Sequence, residues 1–333
     1  MEERHLETLD VTVLIPCNDI RYLSQCFESI SDQSIAPKLV LVVLNGDAAK
    51  ISQEQIRELR SVLNCECDFY ISPEDGIVSA LNYGLKFVNT KYLARLDADD
   101  LFTGERLEKQ ISFLESHQDY VAVGGQVVEY HSNKRRIAYP LDHDEIFTSL
   151  FRFSSLPHPG VTFRMSAVKM VGQYSNDFNC VEDWELWIRL AKVGKLANLE
   201  SIVLRYRIHD LQVTNSEASR KMSGQVKLTK ARFWRSVRNF SNECCCKSCQ
   251  ESRSEVFGRT KHPKSILMSI RVTTHGLNYS VSCLAGYFYV LGKRLEQKNF
   301  PFGLVITGCC AVLRPNWAFS AFLRRLASQS TGH

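Results

Sequence analysis

The sequence predicts an α/β fold: a doubly wound, mostly parallel sheet, followed by a helical C-terminal appendage. Three observations carry that expectation. Through the first hundred residues, apolar runs alternate with helical periodicities in βαβαβαβ order, as in a sheet covered on both faces. Leu39 to Leu44 is wholly apolar, the mark of a strand buried on both sides. After Asn215 the composition turns basic and then polar before apolar stretches return.

Taken in order, Val11-Thr12-Val13-Leu14-Ile15 reads as a first strand stopped by Pro16, with Asn18 and Asp19 opening a helix. That helix places Leu23, Cys26, Phe27 and Ile30 on one face. The second strand, Leu39 to Leu44, ends at Asn45-Gly46-Asp47. A polar helix over 52–63 leads to a short strand, Asp68 to Ile71. Gly76 to Val88 is helical, and Tyr92 to Leu96 is the next buried strand. A helix over 106–114 and strands over 121–128, 161–164 and 202–206 complete the expected domain of 8–215. A basic helix and polar linker are expected over 216–265, and an apolar, aromatic and basic region over 266–333.

Composition narrows the classes. The 333 residues, 38.0 kDa, are 44% hydrophobic and 23% charged, which is globular rather than disordered. A net charge of +5 argues little for nucleic acid at this size. Met1 to Asp10 is polar and acidic, so export is not expected. No apolar run reaches the roughly 18 residues a membrane span needs. Twelve cysteines without a secretion signal read as reduced thiols, which predicts a cytoplasmic protein. The mixture in 266–333 suits either a membrane interface or packing on protein.

The chemistry gathers at Arg95-Leu96-Asp97-Ala98-Asp99-Asp100, where a buried strand ends in three carboxylates. Ionised carboxylates this close repel unless a cation sits among them. Oxygen donors suit a hard ion, Mg²⁺ or Mn²⁺, which commonly shares its shell with substrate phosphates. In a doubly wound sheet, ligands bind beyond the strands' carboxyl ends, where Asn18, Asn45, Asp97 and Asp99 all fall. A glycine-rich dinucleotide loop is absent: the first strand runs into Pro16-Cys17-Asn18. Further on, His158 lies between two prolines, and Glu182-Asp183-Trp184-Glu185-Leu186-Trp187 opens a helix. Its acids suit the helix dipole, and its two tryptophans suit either core or pocket wall.

Together these motifs resemble the family 2 glycosyltransferases over roughly Val11 to Asn215. The resemblance rests on Ile15-Pro16, Asn45-Gly46, Gly76 with Ala80-Leu81-Asn82-Tyr83-Gly84, the 95–100 run, His158-Pro159 and the 182–187 run. It is nearest to bacterial members that build O-antigen, capsule or exopolysaccharide, and it implies a nucleotide-diphospho-sugar transferase fold of the GT-A type. Pro16 and Asn18 then lie in the uridine-binding loop. Asn45 stands where many members carry an aspartate against the nucleobase or ribose. Asn82 and Arg95 would approach the ribose or diphosphate. Asp97 and Asp99 match the metal-binding pair, His209 falls near the metal, and Asp183 matches the catalytic base, with Glu182 beside it. The implied partners are a nucleotide-sugar donor, probed first as UDP-linked, and a saccharide or lipid-linked acceptor at the cytoplasmic face of a membrane. Two rivals stay open: a sugar nucleotidyltransferase, and a non-catalytic nucleotide-sugar binder or scaffold in polysaccharide assembly.

Overall fold

The structure, a computed structural model, describes residues 8–130, 135–150, 153–209 and the isolated positions 226, 228 and 229. The chain divides into two compact units, 1–146 with 152–232 and 147–151 with 233–333. The described residues lie in the first, apart from 147–150. The expected linker and appendage fall outside the described residues, three isolated positions excepted. Among the described residues, no helix is long and apolar enough to cross a membrane.

The first half follows the sequence pattern. Strand β1 (Thr8–Cys17) leads to helix α1 (Leu23–Ser31), β2 (Ala36–Leu44), α2 (Gln53–Val62), β3 (Glu66–Ile71), α3 (Ile77–Leu85) and β4 (Tyr92–Arg95). β1 pairs in parallel with β2 and β4, and β2 with β3. Two boundaries differ from expectation, each for a local reason. Pro16 does not stop β1; it pairs with Val43, and the strand runs on to Cys17. The Leu14 carbonyl accepts from Leu96 N–H, so Leu14 and Pro16 both point their backbone groups towards β4. The β4 ladder ends at the Leu14–Arg95 pair, so no strand partner there requires the amide that proline lacks. Asn18 and Asp19 do not open α1 either. Asp19 accepts from Arg21, and the helix begins at Leu23 after an uncapped Tyr22. α2 does start as its sequence suggests, with Ser52 and Gln55 forming a capping box.

The second half adds β5 (Leu101–Phe102), α4 (Arg106–Ser116), β6 (Tyr120–Tyr130), β7 (Arg136–Ile137) and α5 (His143–Ser149). It continues with β8 (Thr162–Arg164), α6 (Met165–Val171), α7 (Glu182–Leu190) and β9 (Lys195–Arg207). Among the described residues the sheet order is β3-β2-β1-β4-β8-β6-β9-β5, with β7 on β6. β8 is antiparallel to both β4 and β6, so β6 and its parallel partner β9 run in the direction of β1. β5 is reversed against β9. The sheet is therefore mostly parallel in direction, but mixed in pairing beyond β4.

Both faces are covered. α1 (Leu23, Cys26, Phe27, Ile30) and α4 (Leu107, Ile111, Leu114) share a core with Val13, Ile15, Val40, Val42 and Ala94. α3 packs on the opposite face through Gly84, where an added Cβ would lie 2.4 Å from Leu14 Cδ1 and 2.9 Å from Val43 Cγ2. α7 stacks Trp187 on Phe163 of β8, ring centroids 5.4 Å apart. One buried arginine ties these parts together. Arg106 on α4 donates to the carbonyls of Arg95 (2.9 Å) and Pro159 (2.8 Å), fixing the end of β4 beside the His158 turn.

Candidate active site

In the order 3-2-1-4 the chain moves outward through β2 and β3, then returns to the other side of β1 as β4. The crevice of such a sheet lies between the carboxyl ends of β1 and β4. The turn after β4 gathers Asp97, Asp99 and Asp100, with one carboxylate oxygen from each within 4.8 Å of the others. Cations and donors hold the three in place. Arg95 Nη2 lies 2.5 Å from Asp97 Oδ1, and His209 Nε2 lies 2.8 Å from Asp99 Oδ2. Asp100 is fully buried, and its Oδ1 accepts from the Arg207 N–H at 2.9 Å. Arg207 Nε also donates to the Asp99 carbonyl at 2.8 Å. The end of β9 is thereby locked onto the acidic turn.

This turn is short of positive charge. Burial pushes the Asp97 carboxyl up despite the pull of Arg95, and the Asp99 charge adds to the rise. Burial also drives Asp100 well above the carboxylate range, reinforced by Asp97 and Asp99. Asp100 Oδ2 is buried without a partner. Arg95 is likewise buried, with Nε and Nη1 unpartnered. An all-oxygen set with an orphaned carboxylate oxygen fits a hard divalent cation. Asp97 and Asp99 would hold it, and His209 joins the set through Asp99.

The second carboxylate group stands at the start of α7. Cys180, two residues before the helix, has φ +68° and is the one non-glycine positive φ among the described residues. Such a conformation costs about 1 kcal/mol or more and tends to persist where packing imposes it. Asp183 Oδ2 accepts from Ser154 Oγ at 2.7 Å. Burial raises the Asp183 carboxyl, opposed by Ser154 and by backbone N–H groups at the helix start. Glu182 is 5% exposed, with Oε2 unpartnered; burial and then the Asp183 charge lift it to about 7. The two groups communicate: the charge on Asp183 raises Asp97, and Arg95 pulls on both Asp183 and Glu182.

The remaining expected residues divide. Pro16 is the second-last residue of β1 and Asn18 directly follows that strand, while Asn45 precedes a short 3₁₀ turn, Gly46–Lys50, after β2. Asn45 N–H donates to the Cys17 carbonyl at 2.9 Å, and its Nδ2 donates to Gly76 O at 3.1 Å. Its Oδ1 is buried without a partner. Asn82 behaves differently from the sequence reading. Both ends of its amide engage the backbone of Tyr174, Nδ2 to the carbonyl and Oδ1 from the N–H, each at 2.9 Å. It braces a loop rather than presenting a free amide. The tryptophans of α7 are core, not pocket wall: Trp187 is fully buried and Trp184 nearly so.

Several contributors escaped the sequence. Tyr174 O–H bonds His158 Nε2 at 2.9 Å, both buried. Arg189 donates to the carbonyls of Val171, Gly172 and Gln173, each at 2.8 Å, and so holds the segment before Tyr174. Ser154 carries no local signal at all. An arginine at a strand end following an apolar run is the only hint Arg207 offers.

Residues 12–172 match the family described as Glycosyl transferase family 2. The chain is 29% identical over 212 residues to the amylovoran biosynthesis glycosyltransferase AmsE of Erwinia amylovora, covering 62% of this chain and 78% of that one. It is 27% identical over 190 residues to the UDP-Gal:alpha-D-GlcNAc-diphosphoundecaprenol beta-1,3-galactosyltransferase of Escherichia coli, covering 56% and 68%. Among solved structures, S. aureus TarS 1-349 in complex with UDP is 15% identical, covering 91% of this chain and 88% of that chain, with a TM-score of 0.47. The family match and the named relatives agree on one class of enzyme. Residues 12–172 are similar to the family 2 glycosyltransferase domain, and with the named relatives they make the class of enzyme a glycosyltransferase.

Proposed function

We propose that the chain is an inverting glycosyltransferase that moves a sugar from a nucleotide-diphosphate donor, UDP-linked, to a saccharide or lipid-linked acceptor. Its place would be bacterial surface-polysaccharide synthesis. The observation that carries this reading is the electrostatic coupling of two unlike acidic groups, Asp97 and Asp183. One is crowded and suited to a cation at Asp97 and Asp99; the other, at Asp183, is half-buried, raised and held by neutral donors. The names of the relatives, one for amylovoran biosynthesis and one for a UDP-Gal transferase onto a diphosphoundecaprenol acceptor, support the substrate classes.

In this reading Asp97, Asp99 and His209 would hold Mn²⁺ or Mg²⁺, which would offset the diphosphate charge as a Lewis acid. Arg95, whose Nε and Nη1 are buried without a partner, would donate to the same anionic group. Pro16, Asn18 and Asn45 shape the nucleoside end. Asp183 takes the proton of the acceptor hydroxyl as that oxygen attacks the anomeric carbon. The new C–O bond forms as the bond from C1 to the diphosphate oxygen breaks, and the nucleoside diphosphate leaves. One displacement from the far side inverts the anomeric centre. Glu182 supports Asp183 as a second, protonatable carboxyl. Residues 266–333 would keep the enzyme at the cytoplasmic membrane face, where a lipid-linked acceptor lies.

The test is a screen of nucleotide sugars with Mn²⁺ by thermal shift, followed by nucleoside diphosphate release with undecaprenyl-diphosphate-linked sugars. Metal-dependent binding with steady release is expected. Binding without release under any acceptor would favour the scaffold reading, and pyrophosphate exchange the nucleotidyltransferase.

A further inference from the structure

The contact that holds Asp183 is itself directed from the core. Ser154 Oγ lies 2.7 Å from Asp183 Oδ2, and the Trp187 indole Nε1 lies 2.9 Å from the same Oγ. An indole N–H can only donate, so it fills a lone pair of Oγ and leaves the hydroxyl's single proton to be given elsewhere. Two acceptors compete for it: Asp183 Oδ2 at 2.7 Å and the Leu156 carbonyl at 3.4 Å. The carboxylate wins on distance and on charge. Trp187 cannot turn to release Oγ. It is fully buried, stacked on Phe163 at an interplanar angle of 25°, and meets His158 edge-on at 5.9 Å.

We propose that Ser154 is the positioning residue of the base, a one-way donor whose direction is set by Trp187 and which fixes the Asp183 carboxylate and favours its charged form. The inference rests on Asp183 being the base. Several groups act on Asp183 at once: Glu182 on its own helix, Arg95 and Asp97 from β4 and its turn, and the phenols of Tyr174 and Tyr139. All of them remain in the variants below, so a change in titration isolates the hydroxyl.

The experiment is the pH profile of kcat, with donor KM measured alongside, for the full chain and for Ser154→Ala, Ser154→Thr and Trp187→Phe. Loss of a hydrogen bond to a charged group should move the acid limb up by about one pH unit or more in Ser154→Ala. Turnover then falls about tenfold on that limb, recovers at high pH, and leaves donor KM unchanged. Ser154→Thr restores the limb. Trp187→Phe moves it the same way by less, because the hydroxyl regains its choice of acceptor. Should Ser154→Ala fail to fold, the threonine and phenylalanine variants carry the same comparison. An unmoved limb in the alanine variant, or in Trp187→Phe where that alone is measurable, overturns the proposal. Asp183→Asn separates the two levels: normal turnover there removes the base reading itself, whatever Ser154 does.

Discussion

The turn after β4 and the first turn of α7 both concentrate carboxylates, yet they solve the problem in opposite ways. At the β4 turn, three acids stand within 4.8 Å, and nitrogen groups reach two of them, the Arg95 guanidinium at Asp97 and the His209 ring at Asp99. At α7 Asp183 accepts from a neutral hydroxyl, and Glu182 has a bare buried oxygen. Like charges among cations call for one more cation; acids among neutral dipoles call for a proton. The difference separates a group built to hold charge from a group built to exchange it.

The largest expected effect tests the first half of that contrast. Asp97→Asn and Asp99→Asn should each lower turnover by about 10³-fold, as excess chelator should in the parent, and abolish stabilisation by Mn²⁺ in thermal melts. Full activity with chelator present would remove the cation. Next comes the proton. Asp183→Asn should lower kcat by about 10²-fold or more while donor affinity holds, read by kinetics beside direct binding. A parallel loss of donor binding would place Asp183 with the β4 turn instead.

Glu182 gives the contrast a stability signature. Folding raises its carboxyl from 4.5 to about 7, so the folded chain binds the proton more tightly than the unfolded one. The associated stability is whole below about 4.5 and is lost as pH rises towards about 7. Glu182→Gln should therefore flatten the pH dependence and, near pH 8, stabilise the chain by on the order of 3 kcal/mol. Urea melts across that window check it; an unchanged slope would mean the carboxyl is solvated. The smallest effect concerns Asn82. If its work is to brace Tyr174, Asn82→Ala should cost about 1–2 kcal/mol of stability and move donor KM little. A tenfold KM change at constant stability would return it to the nucleotide.

What could be read from the sequence follows from range. Asp97 and Asp99 are neighbours at the end of an apolar run, so local pattern exposes them. The capping box at Ser52 and the apolar faces of α1 and α4 are equally local. Pro16 misleads because its tolerance depends on where the adjacent β4 ladder ends, a fact belonging to another strand. β5 and β7 are two-residue strands, too short to carry a period. Ser154, Arg207 and Tyr174 gain their meaning from partners far along the chain; Arg207 meets Asp99 across 108 residues. For such residues a single sequence records the side chain but not its partner.

That separation also orders events in time. The acidic turn is made early by a synthesising ribosome, but the groups that lock it, Arg207 and His209, emerge more than a hundred residues later. Closing so long a loop is entropically slow and is compensated only when β9 zips beside β6. A nascent chain that has shown only its first five strands therefore carries its carboxylates unlatched. Among the described residues, the last strand to enter the sheet is the one that arms it.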